Sequence, residues 1–136
     1  MAIDEEIMFK EFEFNEKPDE LVYEVNGMAL PDDYLAFMKE HNGGEGPLGK
    51  NCYGCFYRME ELQEVNDDYE VRRWWPGHIV IGTDGGGELW AYNPDKKIYC
   101  QIDSCNIEDD SGDTYMTISS SLEEFLFKMD EEMTDW

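Results

Sequence analysis

The chain has 136 residues, of which 33 are acidic and 10 are basic, and its formal net charge is −23. This length fits one domain, and a surface so acidic repels nucleic-acid phosphates and anionic lipid, so we expect neither nucleic acid nor a membrane as partner. The charge favours salt-sensitive association with a basic protein, although acidic surfaces also serve solubility alone.

The first residues and the hydropathy bear on where the protein works. Residues 1–6 are acidic, whereas a secretory signal needs a basic region followed by an apolar run. No stretch approaches the roughly 20 apolar residues of a membrane-spanning helix. We therefore expect a cytoplasmic protein, whose 4 cysteines are thiols or metal ligands before they are disulfides.

Two helices are predicted in the first third of the chain, whereas residues 7–14 fit no period. The first helix begins at Asp19 as N-cap, ends near Gly27, and has one apolar face: Leu21, Val22, Val25 and Met28. The second begins after Pro31 and ends at Asn42-Gly43-Gly44, where the chain can become left-handed. Its inward stripe consists of Tyr34, Phe37, Met38 and His41.

A loop, a short strand, a helix and a connector are predicted next. Residues 46–51 contain glycine and proline and are predicted to be the loop, and residues 55–57 are the strand. The following helix has an inward face of Met59, Leu62 and Val65. Residues 72–77 are the connector, which Pro76 keeps extended.

The clearest β region begins at residue 79. Residues 79–81, 88–92 and 98–102, separated by turns, predict a three-stranded antiparallel meander. A further strand is predicted at 115–118, after the acidic loop 106–113. A last helix is capped by Ser120 or Ser121, with Glu123 or Glu124 completing a capping box, and its inward face is Leu122, Phe125, Leu126 and Met129. These elements predict an α+β fold, with helices at both ends packed on one central antiparallel sheet.

Most candidate motifs have an ordinary structural explanation. The glycine run 82–87 lies between two strands and lacks a lysine, which indicates a hairpin and not a phosphate loop. Residues 108–113 lack the register of a calcium loop. His41 and His78 stand in no catalytic setting, and no carboxylate pair can be singled out. We therefore expect a protein that is not an enzyme and requires no cofactor.

The cysteines leave three interpretations open. Cys52 and Cys55 form a C-x-x-C motif and Cys100 and Cys105 form a second pair, so four thiolates could bind zinc. A redox dithiol is a second interpretation, but a strand and not a helix follows Cys55. Cys100 shares its strand face with two isoleucines, as a core thiol would, so free thiols are favoured.

Candidate partner-binding residues follow from predicted exposure and chemistry. Two adjacent tryptophans in an extended connector point to opposite sides, so one should be buried and the other partly exposed. An exposed tryptophan beside arginine is typical of a binding hot spot, although both rings could instead seal the sheet edge. The candidates are Trp74, Trp75, Asp84, Glu88, Asp109 and Asp110.

The order of several segments resembles the SUKH superfamily. These segments are the leading helix, Leu30-Pro31 with Tyr34 and Phe37, Asn42-Gly43-Gly44, the strand and hairpin of residues 79–92, and the Ser-Leu-Glu-Glu-Phe-Leu of residues 121–126. The pattern is clearest over residues 18–129. Residues 1–17 and the two cysteine pairs are not part of it. We interpret residues 1–136 as a single SUKH-like domain, and expect a monomer or a weak homodimer.

The resemblance implies a binding domain without catalytic residues. Many bacterial members look like immunity proteins that neutralise a cognate toxin, often a nuclease or a deaminase, and such toxins are usually basic. The resemblance leaves open a regulatory scaffold that binds cellular proteins, like the cell-wall-assembly regulator after which the superfamily is named. A metal-binding protein that uses the four cysteines is a third interpretation.

Overall fold

The computed structural model describes residues 11–48, 52–84, 88–103 and 115–133. Its strands are β1 (Glu13–Phe14), β2 (Glu24–Val25), β3 (Met28–Ala29), β4 (Gly44–Leu48), β5 (Cys52–Phe56), β6 (Ile79–Thr83), β7 (Glu88–Asn93), β8 (Ile98–Asp103) and β9 (Tyr115–Ser119). Its helices are α1 (Asp32–His41), α2 (Leu62–Asp68), α3 (Val71–Trp74) and α4 (Leu122–Met133), with a 3-10 turn at Met59–Glu61.

A seven-stranded sheet in the order β1-β4-β5-β6-β7-β8-β9 forms the centre of the fold. Every neighbouring pair of strands in it is antiparallel. The predicted meander is confirmed as β6, β7 and β8, and the strand predicted at 115–118 is confirmed as β9. The α+β fold class is therefore confirmed.

The helix predicted from Asp19 is wrong, because this segment contains the two-stranded hairpin of β2 and β3. Its turn is Asn26-Gly27, with φ angles of 56° and 76°. Asn-Gly is the preferred pair where both central residues of a hairpin turn need positive φ. Since Val25 alternates with exposed Glu24, the short strand buries its apolar side chain without a helix.

The loop predicted at 46–51 is also wrong over the residues that the structure describes. Residues 44–48 are strand β4, which pairs along its whole length with β5. Glycines 44 and 46 are buried with Leu48, whereas Glu45 and Pro47 are exposed, so the segment alternates as a strand does. Residues 49–51 lie outside the described residues. The strand predicted at 55–57 is confirmed, but it begins at Cys52 and ends at Phe56.

The connector predicted at 72–77 is not extended at its start. Glu70 adopts a left-handed conformation with φ 53°, and the short helix α3 follows it. The Trp75 amide donates to the Val71 carbonyl at 2.8 Å, which closes this turn.

The predicted helices that frame the sheet are confirmed. Helix α1 ends at Asn42, whose φ of 47° is left-handed. Helix α4 is capped by Ser121, whose Oγ accepts a hydrogen bond from the Glu124 amide at 3.2 Å. The Met129 side chain lies outside the described residues. His41 is half-buried and stacks on Phe14, with ring centroids 3.8 Å apart.

Asp33 joins α1, the sheet and α4. Its Oδ1 accepts hydrogen bonds from the Tyr34 amide at 2.9 Å and from the Tyr99 hydroxyl at 2.5 Å. Its Oδ2 accepts the Leu122 amide at 2.8 Å, so this carboxylate caps the first turn of α4 from 89 residues away. Burial and the contact with Asp33 raise the pKa of Tyr99, which keeps its hydroxyl a donor.

The two faces of the sheet carry separate hydrophobic clusters. The first face carries the larger cluster, to which α1, the sheet and α4 contribute: Tyr34, Phe37, Met38, Phe56, Ile79, Ile81, Trp90, Tyr99, Leu122, Phe125 and Leu126 are among its members. The second face buries Val80, Leu89, Ala91, Cys100 and Ile102 with Val71 and Trp75.

The Asn66 side chain holds α2 against strand β6. Its Oδ1 accepts the Val80 amide at 2.8 Å and its Nδ2 donates to the Val80 carbonyl at 2.9 Å. The Asn66 side-chain amide thereby satisfies the backbone N–H and C=O of Val80, as a neighbouring strand would. This contact places α2 and α3 on the β6 side of the second face, and not over β4 and β5.

Candidate partner-binding surface

The two adjacent tryptophans lie at the end of α3 and differ in burial. Trp75 is 4% exposed and belongs to the cluster of the second face, whereas Trp74 is half-buried. The Arg73 guanidinium lies 4.5 Å from the centre of the Trp74 ring, a cation–π arrangement. The prediction of one buried and one partly exposed tryptophan is confirmed, and Trp74 is the member with surface to offer a partner.

Asp84 and Glu88 lie together where β6 turns into β7. Oδ1 of Asp84 accepts a hydrogen bond from the Glu88 amide at 3.2 Å, and the Thr83 hydroxyl donates to the Glu88 carbonyl at 2.7 Å. Both carboxylate residues are half-buried. The structure thus brings these two predicted residues to one end of the sheet, whereas Asp109 and Asp110 lie outside the described residues and stay predictions.

The sheet separates the two cysteines whose side chains are described. Cys55 is half-buried on β5 and Cys100 is fully buried on β8, and both are free thiols. Three strand spacings separate them, about 14 Å at a spacing of about 4.8 Å. Since a Zn–S bond is about 2.3 Å long, these two thiols cannot bind the same zinc ion. A zinc site that uses all four cysteines is therefore wrong, and the prediction of a core thiol is confirmed for Cys100.

One part of the second face is open to solvent. In the register of the sheet, Glu13 lies opposite Glu45 and Glu45 lies opposite Cys55, so their side chains share a side. Tyr53 precedes Cys55 by two residues and faces the same way. We call this group the open face and define it as Glu13, Glu45, Tyr53 and Cys55.

The open face borders one of the predicted sites. Thr83 is the register partner of Cys55, and Asp84 follows Thr83 in the chain. Thr83 also lies opposite Leu89, which belongs to the buried cluster of the second face. Thr83 therefore stands at the boundary between the open and the covered parts of this face, and Asp84 follows it at the end of β6, opposite Glu88.

The charges of the open face act on one another. The Tyr53 hydroxyl donates to the Glu45 carboxylate at 3.2 Å, and the Tyr53 side chain is 48% exposed. The charge of Glu45 is the main cause that raises the pKa of Tyr53, and Glu13 adds to it. Burial, then the charges of Glu45 and Glu61, raise the pKa of Cys55. Both shifts have the sign that a negative potential gives.

Basic side chains stand elsewhere in the described part of the chain. Its ion pairs are Lys17–Glu40 at 3.8 Å, Arg72–Asp67 at 3.7 Å, Arg73–Glu70 at 3.6 Å and Lys128–Glu124 at 3.1 Å. None of these pairs includes Glu13 or Glu45. Within residues 11–48, 52–84, 88–103 and 115–133, the carboxylates of the open face thus lack a neutralising partner.

A second surface feature is an open cleft of about 960 Å³ beside the end of α1. It is lined by residues 14–20 and by Val22, Asn42, Arg58 and Glu60. The Asn42 side chain is committed within it, since Nδ2 donates to Glu60 at 3.1 Å and Oδ1 accepts the Met59 amide at 2.8 Å. Lys17 and Arg58 stand among its acidic residues, so the cleft has mixed charge.

Sequence reasoning missed the open face because it placed Glu45 before a loop and Tyr53 ahead of the strand. In the structure Gly44-Glu45-Gly46-Pro47-Leu48 alternates buried and exposed residues, but its glycines and proline are typical of loops, so the sequence alone does not signal this strand. Reading that segment as a strand would have placed Glu45 and Tyr53 on paired strands. The pairing register itself needs the structure, because it depends on contacts across the chain.

The described residues contain neither a metal-binding cluster nor a membrane-spanning helix. No group of three or more histidine, cysteine or carboxylate residues there could bind a metal ion. No helix in the same residues is long and apolar enough to cross a membrane.

The fold and this surface define an α+β domain built on one antiparallel sheet, with part of one face left open. The chain belongs to the SMI1 / KNR4 family (SUKH-1), whose family model matches residues 20–128. The resemblance to the SUKH superfamily is thereby confirmed, and SUKH domains generally act in protein–protein interactions. No curated protein gives a significant match to the chain.

Proposed function

We propose that the chain is a non-catalytic immunity protein that binds and neutralises a basic toxin of the nuclease or deaminase type. One observation carries the proposal: a domain of a protein-binding family has a net charge of −23 and an open sheet face whose carboxylates form no ion pair with the described basic side chains. An acidic domain that covers a basic active site competes with nucleic acid for the same charges.

Electrostatic complementarity predicts how the rate of association depends on salt. Long-range attraction accelerates association, and salt screens it over a Debye length of about 8 Å at physiological ionic strength. A toxin complex of this chain should therefore form rapidly at low salt and weaken as salt rises. Such behaviour suits a protein that must capture a toxin before the toxin finds its substrate.

The test begins with a pull-down that uses this chain as bait in lysate of its native host. A parallel bait of equal negative charge and unrelated fold controls for general attraction between charges. We expect this chain alone to retain a basic protein, which a high-salt wash removes and mass spectrometry identifies. The retained protein is then expressed in a test bacterium, where it should arrest growth unless this chain is co-expressed.

The second candidate is a regulatory scaffold, which the name of the matched family favours. It predicts that the retained proteins are cellular proteins whose expression does not arrest growth. Recovery of such proteins alone, or growth arrest that the chain does not relieve, would contradict the immunity function.

A further inference from the structure

The second face of the sheet is divided between a covered and an uncovered part. Strands β6, β7 and β8 bury their side chains there together with α3, whereas those of the neighbouring β1, β4 and β5 are exposed or, for Cys55, half-buried. Tyr53 is the second residue of strand β5 and is 48% exposed. A tyrosine ring on an open sheet offers large contact area at low cost in conformational entropy, which protein interfaces favour.

The two glutamates of the open face oppose each other across the β1–β4 ladder. Like charges at directly opposed positions of an antiparallel pair destabilise it, because their Cβ atoms lie only about 5 Å apart. Within the described part of the chain, no ion pair relieves this repulsion. A cation from outside would relieve it, so this arrangement costs stability in the free protein and favours a bound basic group.

The chemistry of the open face selects a particular cation. Its carboxylates stand beside the exposed Tyr53 ring, and the Tyr53 hydroxyl is fixed to Glu45. An arginine guanidinium binds a carboxylate through two hydrogen bonds and stacks on an aromatic ring with the same planar group. Lysine can satisfy the charge but not the planar geometry.

We propose that the open face is the surface on which this chain binds its protein partner, and that it takes an arginine-rich segment of that partner. The proposal rests on the proposed function for the existence of a basic partner. Glu13 and Glu45 receive the guanidinium groups, and Tyr53 provides the stacking surface.

The test uses a short peptide of alternating arginine and serine, titrated into the isotope-labelled full chain and followed by the amide chemical shifts. We expect the largest shifts at the amides of β1, β4 and β5. Largest shifts within residues 106–113, or around the cleft beside Arg58, would overturn the proposal in favour of those surfaces.

Two pairs of variants separate the open face from net charge and from exposed aromatic area. Glu45→Lys should weaken the affinity for the peptide about tenfold, as for close charge pairs at an interface. Asp95→Lys makes the same change in net charge on an exposed turn and should weaken this affinity less than about twofold. Tyr53→Ser should weaken binding about fivefold, and Tyr23→Ser, which removes a ring that is 60% exposed, should leave it unchanged.

These four substitutions are at exposed positions, so each variant should fold, and the amide spectrum of each confirms it. Equal losses in the two members of a pair would overturn the proposal. Because the peptide experiment needs no toxin, its failure is distinct from failure of the pull-down. A toxin that binds Glu45→Lys as tightly as the unaltered chain would reject this surface and leave the immunity function standing.

Discussion

Strand β5 is used in two opposite ways by its two sides. On the first face, Phe56 is 1% exposed and packs against Trp90, with ring centroids 5.1 Å apart. On the second face, Tyr53 and Cys55 stand beside charged residues and remain accessible. An antiparallel sheet commonly has one packed and one solvated face, and here the solvated part ends where α2 and α3 begin to cover β6. Local sequence therefore sets the alternation of side chains along the strand, whereas the path of the following helices decides which side of the strand stays accessible to a partner.

The largest effect should come from truncating the packed side. Phe56→Ala should lower the free energy of unfolding by about 4 kcal/mol, because it removes a buried ring and leaves a cavity. Tyr53→Ala on the same strand should cost less than about 0.5 kcal/mol, as surface substitutions usually do. Urea unfolding followed by tryptophan fluorescence measures both. Equal losses would show that the second side of β5 is packed, and the comparison would fail.

The contact of the Trp90 ring with Gly54, two strands away across β6, gives the next effect. A Cβ at Gly54 would overlap the ring of Trp90, which is fully buried and cannot move aside. Gly54→Ala should therefore cost about 3 kcal/mol by overpacking. Gly77→Ala is the matched control, since Gly77 has a φ of 83° and open space around it, and should cost about 1 kcal/mol from backbone strain alone. Thermal unfolding of both variants distinguishes steric overlap from conformational strain.

A third effect concerns the covered part of the second face. Burial raises the pKa of the Cys100 thiol to about 12, and nearby Lys96 opposes this shift. In the unfolded chain this pKa is about 8.5. The folded state therefore holds the proton more tightly, so the stabilisation is complete below about pH 8.5 and is lost as the pH rises toward 12. Between about pH 9 and 11 the loss should approach 1.4 kcal/mol for each pH unit.

The folded chain also loses stability in alkali because its buried tyrosines ionise. The contribution of Cys100 is therefore measured as the difference between the unaltered chain and a variant without this thiol. Cys100→Ala lacks this thiol but keeps the tyrosines. Urea unfolding at several alkaline pH values should give a shallower decline for Cys100→Ala than for the unaltered chain. Parallel declines would show that Cys100 does not titrate differently in the folded state.

Much of the fold is predictable from local patterns. The meander and helix α4 follow from alternation and from the Ser121 cap. The hairpin at Asn26-Gly27 was also signalled, but the helical spacing of the apolar residues around it outweighed the turn pair. Strand β4 was hidden because glycine and proline are typical of loops, although here they lie on a paired strand.

The surface is less predictable than the fold. Trp74 and Asp84 are predicted as partner contacts because tryptophan and loop carboxylates stand out in a sequence. Glu45 and Tyr53 have no such signal, since their significance depends on which strands pair and on where α2 lies. Asn66 fixes that placement through both backbone groups of Val80, a long-range contact that no local period reveals.

The smallest effect tests the electrostatics of the open face directly. Burial and then Glu45 raise the pKa of Cys55, so a smaller fraction of this thiol is thiolate than of an unperturbed cysteine at the same pH. Glu45→Gln removes one negative charge at the paired position and should raise the rate of Cys55 alkylation by iodoacetamide about threefold, as a charge about 5 Å away in a largely aqueous setting would.

Asp95→Asn removes an equal charge from the distant turn and should leave the rate unchanged. Tandem mass spectrometry of the peptide that contains both Cys52 and Cys55 assigns the alkylation to Cys55, because the fragment ions distinguish the two positions. If both variants accelerate alkylation equally, Cys55 responds only to net charge, and the field of the open face is not local. If only Glu45→Gln does so, the same carboxylate that would receive a partner's arginine is shown to act on its neighbours in the free protein.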